Sequence, residues 1–171
     1  MVESILNNKK ILAVDDEPDV LDSVEKEILA VAPNCYFYKA TEYQTAMELL
    51  VSYTYDLIIL GNIGVGGFDL LDINMNRPVR FPVVMLTDHA LDPQALRRSI
   101  EMGSRAYLPK EKLGEIVPFV EDLLMYENLP GWARLFQNVR GFFNARWREN
   151  WKKTDKSFWK EFDAQIAFIK R

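Results

Sequence analysis

Cysteine and histidine are almost missing from this 171-residue chain, which has one of each, Cys35 and His89. A lone cysteine closes no internal disulfide, and one cysteine with one histidine cannot assemble a Cys/His zinc site. Cys35 is therefore expected to be a packed thiol rather than a reactive one, and His89 a solvent-facing loop residue. The first residues, Met1 to Asn8, show no basic segment leading into a long apolar stretch. No run approaches the roughly 18 apolar residues that span a bilayer. The expected compartment is the cytoplasm. Nor does the glycine-rich stretch Gly61-Asn62-Ile63-Gly64-Val65-Gly66-Gly67 end in the Gly-Lys-Ser/Thr of a phosphate-cradling P-loop.

Charge and aromatics are unevenly spread. Met1 to Met125 carries 11 Lys+Arg and 20 Asp+Glu, net −9, whereas Tyr126 to Arg171 carries 10 and 5, net +5. All four tryptophans, Trp132, Trp147, Trp151 and Trp159, lie in the second part. Proline and glycine interrupt the helical pattern at Asn128-Leu129-Pro130-Gly131, so the expected division is a domain over 1–127 and an extension over 128–171.

Within the first part, strand and helix patterns alternate. Ile11-Leu12-Ala13-Val14 predicts a short buried strand that runs into Asp15-Asp16-Glu17-Pro18, where proline opens a helix carrying Val20, Leu21, Val24, Ile28 and Leu29. Tyr36 to Ala40 predicts a second strand, and Thr41-Glu42-Tyr43-Gln44 has the Thr-x-x-Gln form of a capping box ahead of a second helix. Leu57-Ile58-Ile59-Leu60 is apolar throughout, as a strand covered on both faces must be, and a short helix is expected near Asp69 to Met75. Val83 to Thr87 is a fourth strand. Asp92-Pro93 then caps and opens a helix that stops before Gly103. Ala106-Tyr107-Leu108 is the fifth strand, and Leu113 to Tyr126 the fifth helix, burying Ile116, Val117, Val120, Leu123 and Leu124.

Five such units imply an α/β, doubly wound, five-stranded parallel sheet, because parallel strands need right-handed crossovers. Ligands of such sheets sit beyond the carboxyl ends of the strands. Collected there are Asp15 and Asp16, Gly61, Thr87 and Asp88, and Lys110. An acidic loop at a helix start is favourable through the helix dipole alone, and a lysine beside it forms a plain ion pair. Residues of matching chemistry at four strand ends in order favour a site.

Four motifs carry a resemblance to the receiver domain of two-component response regulators: Ile11-Leu12-Ala13-Val14-Asp15-Asp16-Glu17-Pro18, Tyr55-Asp56-Leu57-Ile58-Ile59-Leu60, Met85-Leu86-Thr87, and Ala106-Tyr107-Leu108-Pro109-Lys110. The resemblance covers roughly Lys9 to Tyr126 and implies strand order 2-1-3-4-5. It implies that Asp15 and Asp16 hold Mg²⁺, that Thr87 and Lys110 bind phosphoryl oxygens, and that Tyr107 is the switch aromatic, a position equally suited to a half-buried packing residue. The phosphoacceptor aspartate falls on Gly61, which has no side chain to form an acyl phosphate and takes one carboxylate from the metal, leaving at most a weak Mg²⁺ site. Gly64-Val65 and Asp88 also depart from the family pattern, and Asp88, in the phosphoryl pocket with Thr87 and Lys110, would either repel a phosphoryl group or restore negative charge beside that lysine. Asp56, about 13–17 Å back along the strand, and Asp69, beyond the loop, are poor substitutes, and so is Asp88, because acyl-phosphate formation demands in-line geometry between donor, metal and carboxylate.

The expected function is thus a receiver-like signalling module that is not phosphorylated in this form and is not an enzyme. It would act through a signalling partner, a histidine kinase or a downstream effector. One alternative is an ordinary phospho-accepting regulator in which Gly61 is an introduced substitution. Another rests on the tail, where Trp132, Leu135, Phe136, Val139, Phe142, Phe143, Trp147 and Trp151 share one half of a helix opposite Arg134, Arg148 and Lys152. A second stripe holds Phe158, Trp159, Phe162, Ile166 and Ile169. These faces can pack on each other and on the domain, form a homodimer through the 131–170 helices, dock a partner, or lie on a membrane surface as an adaptor. Against the membrane stands the acidic domain alongside. Against nucleic acid stand a tail too short for a winged helix and the lack of a Gly-containing helix-turn-helix.

Overall fold

Leu57 to Leu60 is buried along its whole length because it is the middle strand of the sheet. The computed structural model describes residues 3–61, 66–87, 94, 97–98, 101–104 and 106–125, without the side chains of 87, 106 and 107. The strands are β1 (Lys10–Val14), β2 (Tyr36–Ala40), β3 (Leu57–Leu60), β4 (Val83–Thr87) and β5 (Ala106–Pro109), and they form one parallel sheet in the order β2-β1-β3-β4-β5. The register sets Ile11 beside Leu57 and Val14 beside Leu60, with Leu60 next to Met85 on the other side. Asp56 is anchored at the opposite end of β3, where its carboxylate accepts the Lys10 N–H at 2.8 Å.

Helices α1 (Pro18–Val31), α2 (Tyr43–Ser52), α3 (Gly66–Met75) and α4 (Ile116–Met125) cover the sheet. Leu12, Val14, Ile58 and Leu60 share one face with Ala46 and Leu50 of α2 and Leu70 and Asn74 of α3. The alternate residues, Ile11, Ala13, Leu57 and Ile59, point the other way, toward the pair α1 and α4, which pack together and bury Leu21, Val24, Ile28, Ile116, Val120 and Leu123. The buried Asn74 amide ties the end of α3 to the chain ahead of β4: its Nδ2 donates to the Phe81 carbonyl at 2.9 Å and its Oδ1 accepts the Phe81 N–H at 3.1 Å.

Three local expectations differ. The second helix starts at Tyr43 with Glu42 as N-cap and no side-chain cap bond, so there is no capping box at Thr41; Gln44 instead donates to Glu48 at 3.0 Å, one turn on. The third helix starts three residues early, at Gly66. The last begins as a 3₁₀ segment, Lys110–Glu115, broken at Lys112, and becomes α-helical only at Ile116. Gly103 sits at φ +89°, the left-handed conformation that suits glycine at a helix end. Cys35 is packed as expected, its Sγ 3.4 Å from the Lys9 carbonyl, and burial pushes its thiol up to about 11. His89, the start of the fourth predicted helix, and the extension from residue 126 lie outside the described residues, and with them the expected 127/128 boundary.

Candidate functional site

Asp15 follows β1 and continues its ladder, its N–H donating to the Ala40 carbonyl at 3.1 Å. Its side chain turns inward and is fully buried. Oδ1 accepts the Glu17 N–H at 2.9 Å, an Asx turn that leads the chain into Pro18 at the head of α1. Lys110 leaves the end of β5, the far edge of the sheet, and reaches back across the ends of β4 and β3 to the same carboxylate. Its Nζ donates to Asp15 Oδ1 at 3.3 Å and to Glu17 Oε1 at 3.1 Å. It also lies 3.0 Å from Asp15 Oδ2, off the line of a hydrogen bond, so that Oδ2 is ion-paired yet accepts no hydrogen bond among the described residues.

Gly61 closes this arrangement from the β3 side. Its backbone φ is outside the left-handed region, so what requires a glycine here is space. A Cβ at position 61 would overlap Asp15 Oδ2 and stand 2.6 Å from its Cγ and 2.9 Å from its Cβ. The volume in which a side chain on residue 61 would begin is filled by the Asp15 carboxylate.

Burial drives the electrostatics. It pushes the Asp15 carboxyl above the ordinary carboxylate value, further than the Glu17 N–H and Lys110 pull it down. Burial also works against the Lys110 ammonium, but hydrogen bonds to Asp15 and Glu17 outweigh it and hold the lysine above its usual pKa. The lysine side chain is only 11% exposed, so this pair is not a solvent-screened surface contact.

Asp15, Asp16 and Glu17 each bring a carboxylate oxygen within 4.8 Å of the other two, and the first two are the acidic pair that the family resemblance assigns to Mg²⁺. The arrangement does not suit a divalent ion. Both Asp15 oxygens face the Lys110 ammonium, Glu17 is bonded to it as well, Asp15 is the one buried carboxylate of the three, and β3 brings none to the site. Mg²⁺ prefers near-octahedral oxygen ligation and would have to displace that ammonium. Millimolar MgCl₂ is therefore expected to leave the thermal unfolding midpoint unchanged, whereas a bound ion would raise it with concentration.

Of the residues singled out in the sequence, the structure brings Asp15, Gly61 and Lys110 into contact range and leaves Asp16 exposed beside them. Thr87 ends β4 opposite Pro109, and Tyr107 pairs with Met85, both by backbone register. Asp88 is outside the described residues. Glu17 had no assigned role and proves to be both a backbone donor to Asp15 and a second partner of Lys110. The signal was local: an aspartate two residues before the residue that precedes a helix-opening proline is placed for an Asx turn.

No protein-family model and no curated protein matches the chain. Solved structures do. The receiver domain of Francisella response regulator 1452 matches with a TM-score of 0.61 at 20% identity, covering 71% of this chain and 100% of its own. The signal receiver domain of a DNA-binding response regulator (merR) from Colwellia psychrerythraea 34H matches with a TM-score of 0.63 at 19% identity over 68% of this chain and 98% of its own. The fold is that of response-regulator receiver domains. A third receiver-fold neighbour, the phosphorylated cyanobacterial phytochrome response regulator RcpA, has a TM-score of 0.61 at 20% identity over 68% of this chain and 94% of its own. In every case the aligned part is about two thirds of the chain and nearly the whole neighbour.

Proposed function

We propose that the chain is a receiver-fold signalling module that does not accept a phosphoryl group and acts by binding another protein of a two-component pathway. The observation that carries this reading is the position of the Asp15 carboxylate against Gly61, with Lys110 closed on it. In the receiver scheme a carboxylate at the end of the third strand is the nucleophile, and the lysine awaits the phosphoryl oxygens. In this chain the nucleophile is absent, and the lysine is already neutralised by a carboxylate contributed from β1. Asp15 is no substitute acceptor: it is fully buried, and both of its oxygens are committed. Attack on a phosphodonor needs an exposed lone pair in line with the leaving group.

Such a module has one resting arrangement of its site, and what changes its conformation is differential binding by a partner rather than a covalent mark. A histidine kinase or a downstream effector is the class of partner that the receiver resemblance implies. Mg²⁺ has no part in this reading. Among the described residues no helix is long and apolar enough to cross a membrane.

The test is intact-mass measurement after incubation with a small acyl-phosphate donor and Mg²⁺. No phosphoryl adduct is expected on this chain. An adduct would mean that the chain is an ordinary phospho-accepting regulator by another residue. The Gly61→Asp variant is also expected to stay unmodified, since its new side chain meets Asp15; uptake by that variant would show that Asp15 and Lys110 open readily and that the pocket remains competent.

A further inference from the structure

In a doubly wound parallel sheet, strand starts and helix ends gather at one end, away from the site. Every exposed large hydrophobic side chain among the described residues lies there. Val31 and Met125 are the last residues of α1 and α4, and Val51 and Tyr53 close α2. Tyr36 opens β2, Ile5 precedes β1 and Val79 precedes β4. Met125 and Val79 are 60% and 69% exposed, and the carboxyl end shows no counterpart among the described residues. Tyr53 stacks on Tyr38, with ring centroids 6.4 Å apart, so part of this surface is aromatic.

The chain itself leaves the described domain at this end, because residue 126 follows Met125 at the close of α4. Six residues later begins the stripe Trp132, Leu135, Phe136, Val139, Phe142 and Phe143. We propose that the amino-terminal end of the sheet is the docking surface for the chain's own segment 131–151. Dimensions agree: a helix of that length spans about 30 Å at 1.5 Å per residue, and five strands about 4.8 Å apart are about 19 Å wide. As the helix that its apolar stripe predicts, the segment would be long enough to reach from one edge of the sheet to the other. Connection through a few residues gives the segment an effective concentration on the order of millimolar, well above that of a free partner. The proposal does not depend on whether the Gly61 site accepts phosphate.

All four tryptophans lie between residues 132 and 159, so tryptophan emission of the full chain reports on the extension alone. The expected result is blue-shifted emission, protected from acrylamide, that does not change on dilution and belongs to a species with the mass of one chain. In the variant Val51→Asp/Val79→Asp, which alters two exposed positions, emission should shift to the red and acrylamide protection should be lost while the far-ultraviolet circular dichroism of the domain persists. Three outcomes would overturn the proposal. Emission that ignores the two aspartates means that the stripes cover one another. Emission that reddens on dilution, with a two-chain mass at high concentration, means that a second copy is the occupant. Exposed tryptophans in the unaltered chain that become buried only on phosphatidylglycerol vesicles mean a membrane surface.

Discussion

Gly61→Ala is expected to lower the stability of the domain by about 3 kcal/mol or more, at the upper end of what overpacking a filled site costs. The reason lies in which atoms collide. Overlap with Asp15 Oδ2 and Cγ alone could be relieved by turning the carboxylate away. The Cβ of Asp15 would still stand 2.9 Å from the new methyl group, and that atom moves only with the β1 backbone. Turning the carboxylate also abandons the Glu17 N–H and the Lys110 ammonium. For a domain of this size the loss is about 10 °C in the unfolding midpoint. Denaturant unfolding of four proteins, the original chain, Gly61→Ala, Asp15→Gly (which also removes the Cβ) and the double variant, separates the steric effect from any other. If the collision is with the Asp15 carboxylate, the double variant is more stable than the two single losses predict when added, by about 2 kcal/mol. Strict additivity would place the cost of the added methyl group elsewhere and remove the basis for reading Gly61 as a position fitted around Asp15.

The architecture was legible because its signals are long and repeated. An unbroken apolar run such as Leu57 to Leu60 cannot be a one-sided strand, and helices between successive strands force parallel pairing. The strand-end residues Asp15, Gly61 and Lys110 were legible for the same reason, since topology alone brings strand ends together. What could not be read was where the Asp15 side chain goes. Sequence places its Cα at the end of β1; whether the carboxylate faces solvent, a metal or Gly61 is set by a rotamer and by the reach of a lysine 95 positions later. The vacancy at Gly61, seen from the sequence as a missing nucleophile, is in the fold an occupied volume. The failed capping box at Thr41 is a smaller instance. The pattern was right in composition and off by one residue, because the helix takes Glu42 as its N-cap and Gln44 finds Glu48.

Lys110→Met carries the second large effect, and its pH dependence identifies the cause. Removing one member of a buried ion pair costs about 3–5 kcal/mol when the remaining charge cannot be neutralised. Here it can be, because burial already holds the Asp15 carboxyl above its ordinary value of 3.8 and the variant lets it take up a proton more easily. The expected loss at neutral pH is therefore nearer to about 2–3 kcal/mol. The sign at each end follows from linkage. Asp15 titrates higher in the folded than in the unfolded chain, so its folded state holds the extra proton and stability falls as pH rises from 3.8 through the folded value; Lys110→Met accentuates that slope. On the acid side Asp15 is neutral in both proteins, so the original chain loses the pair that the variant lacks, and their stabilities converge. On the alkaline side the folded lysine titrates above 10.5, so its stabilisation is complete below that value and disappears as pH rises through the folded pKa, again only in the protein that has the lysine. The difference in urea midpoint between the two proteins should thus be largest near neutrality and narrow at both extremes. Asp15→Asn/Lys110→Met, which replaces both charges with neutral groups, should recover much of the loss at pH 7, since no buried charge is then left unpaired. A difference that stays flat from acid to alkali would mean that Lys110 contributes through the packing of its alkyl chain, and that the charge closing the Gly61 pocket is not what stabilises it.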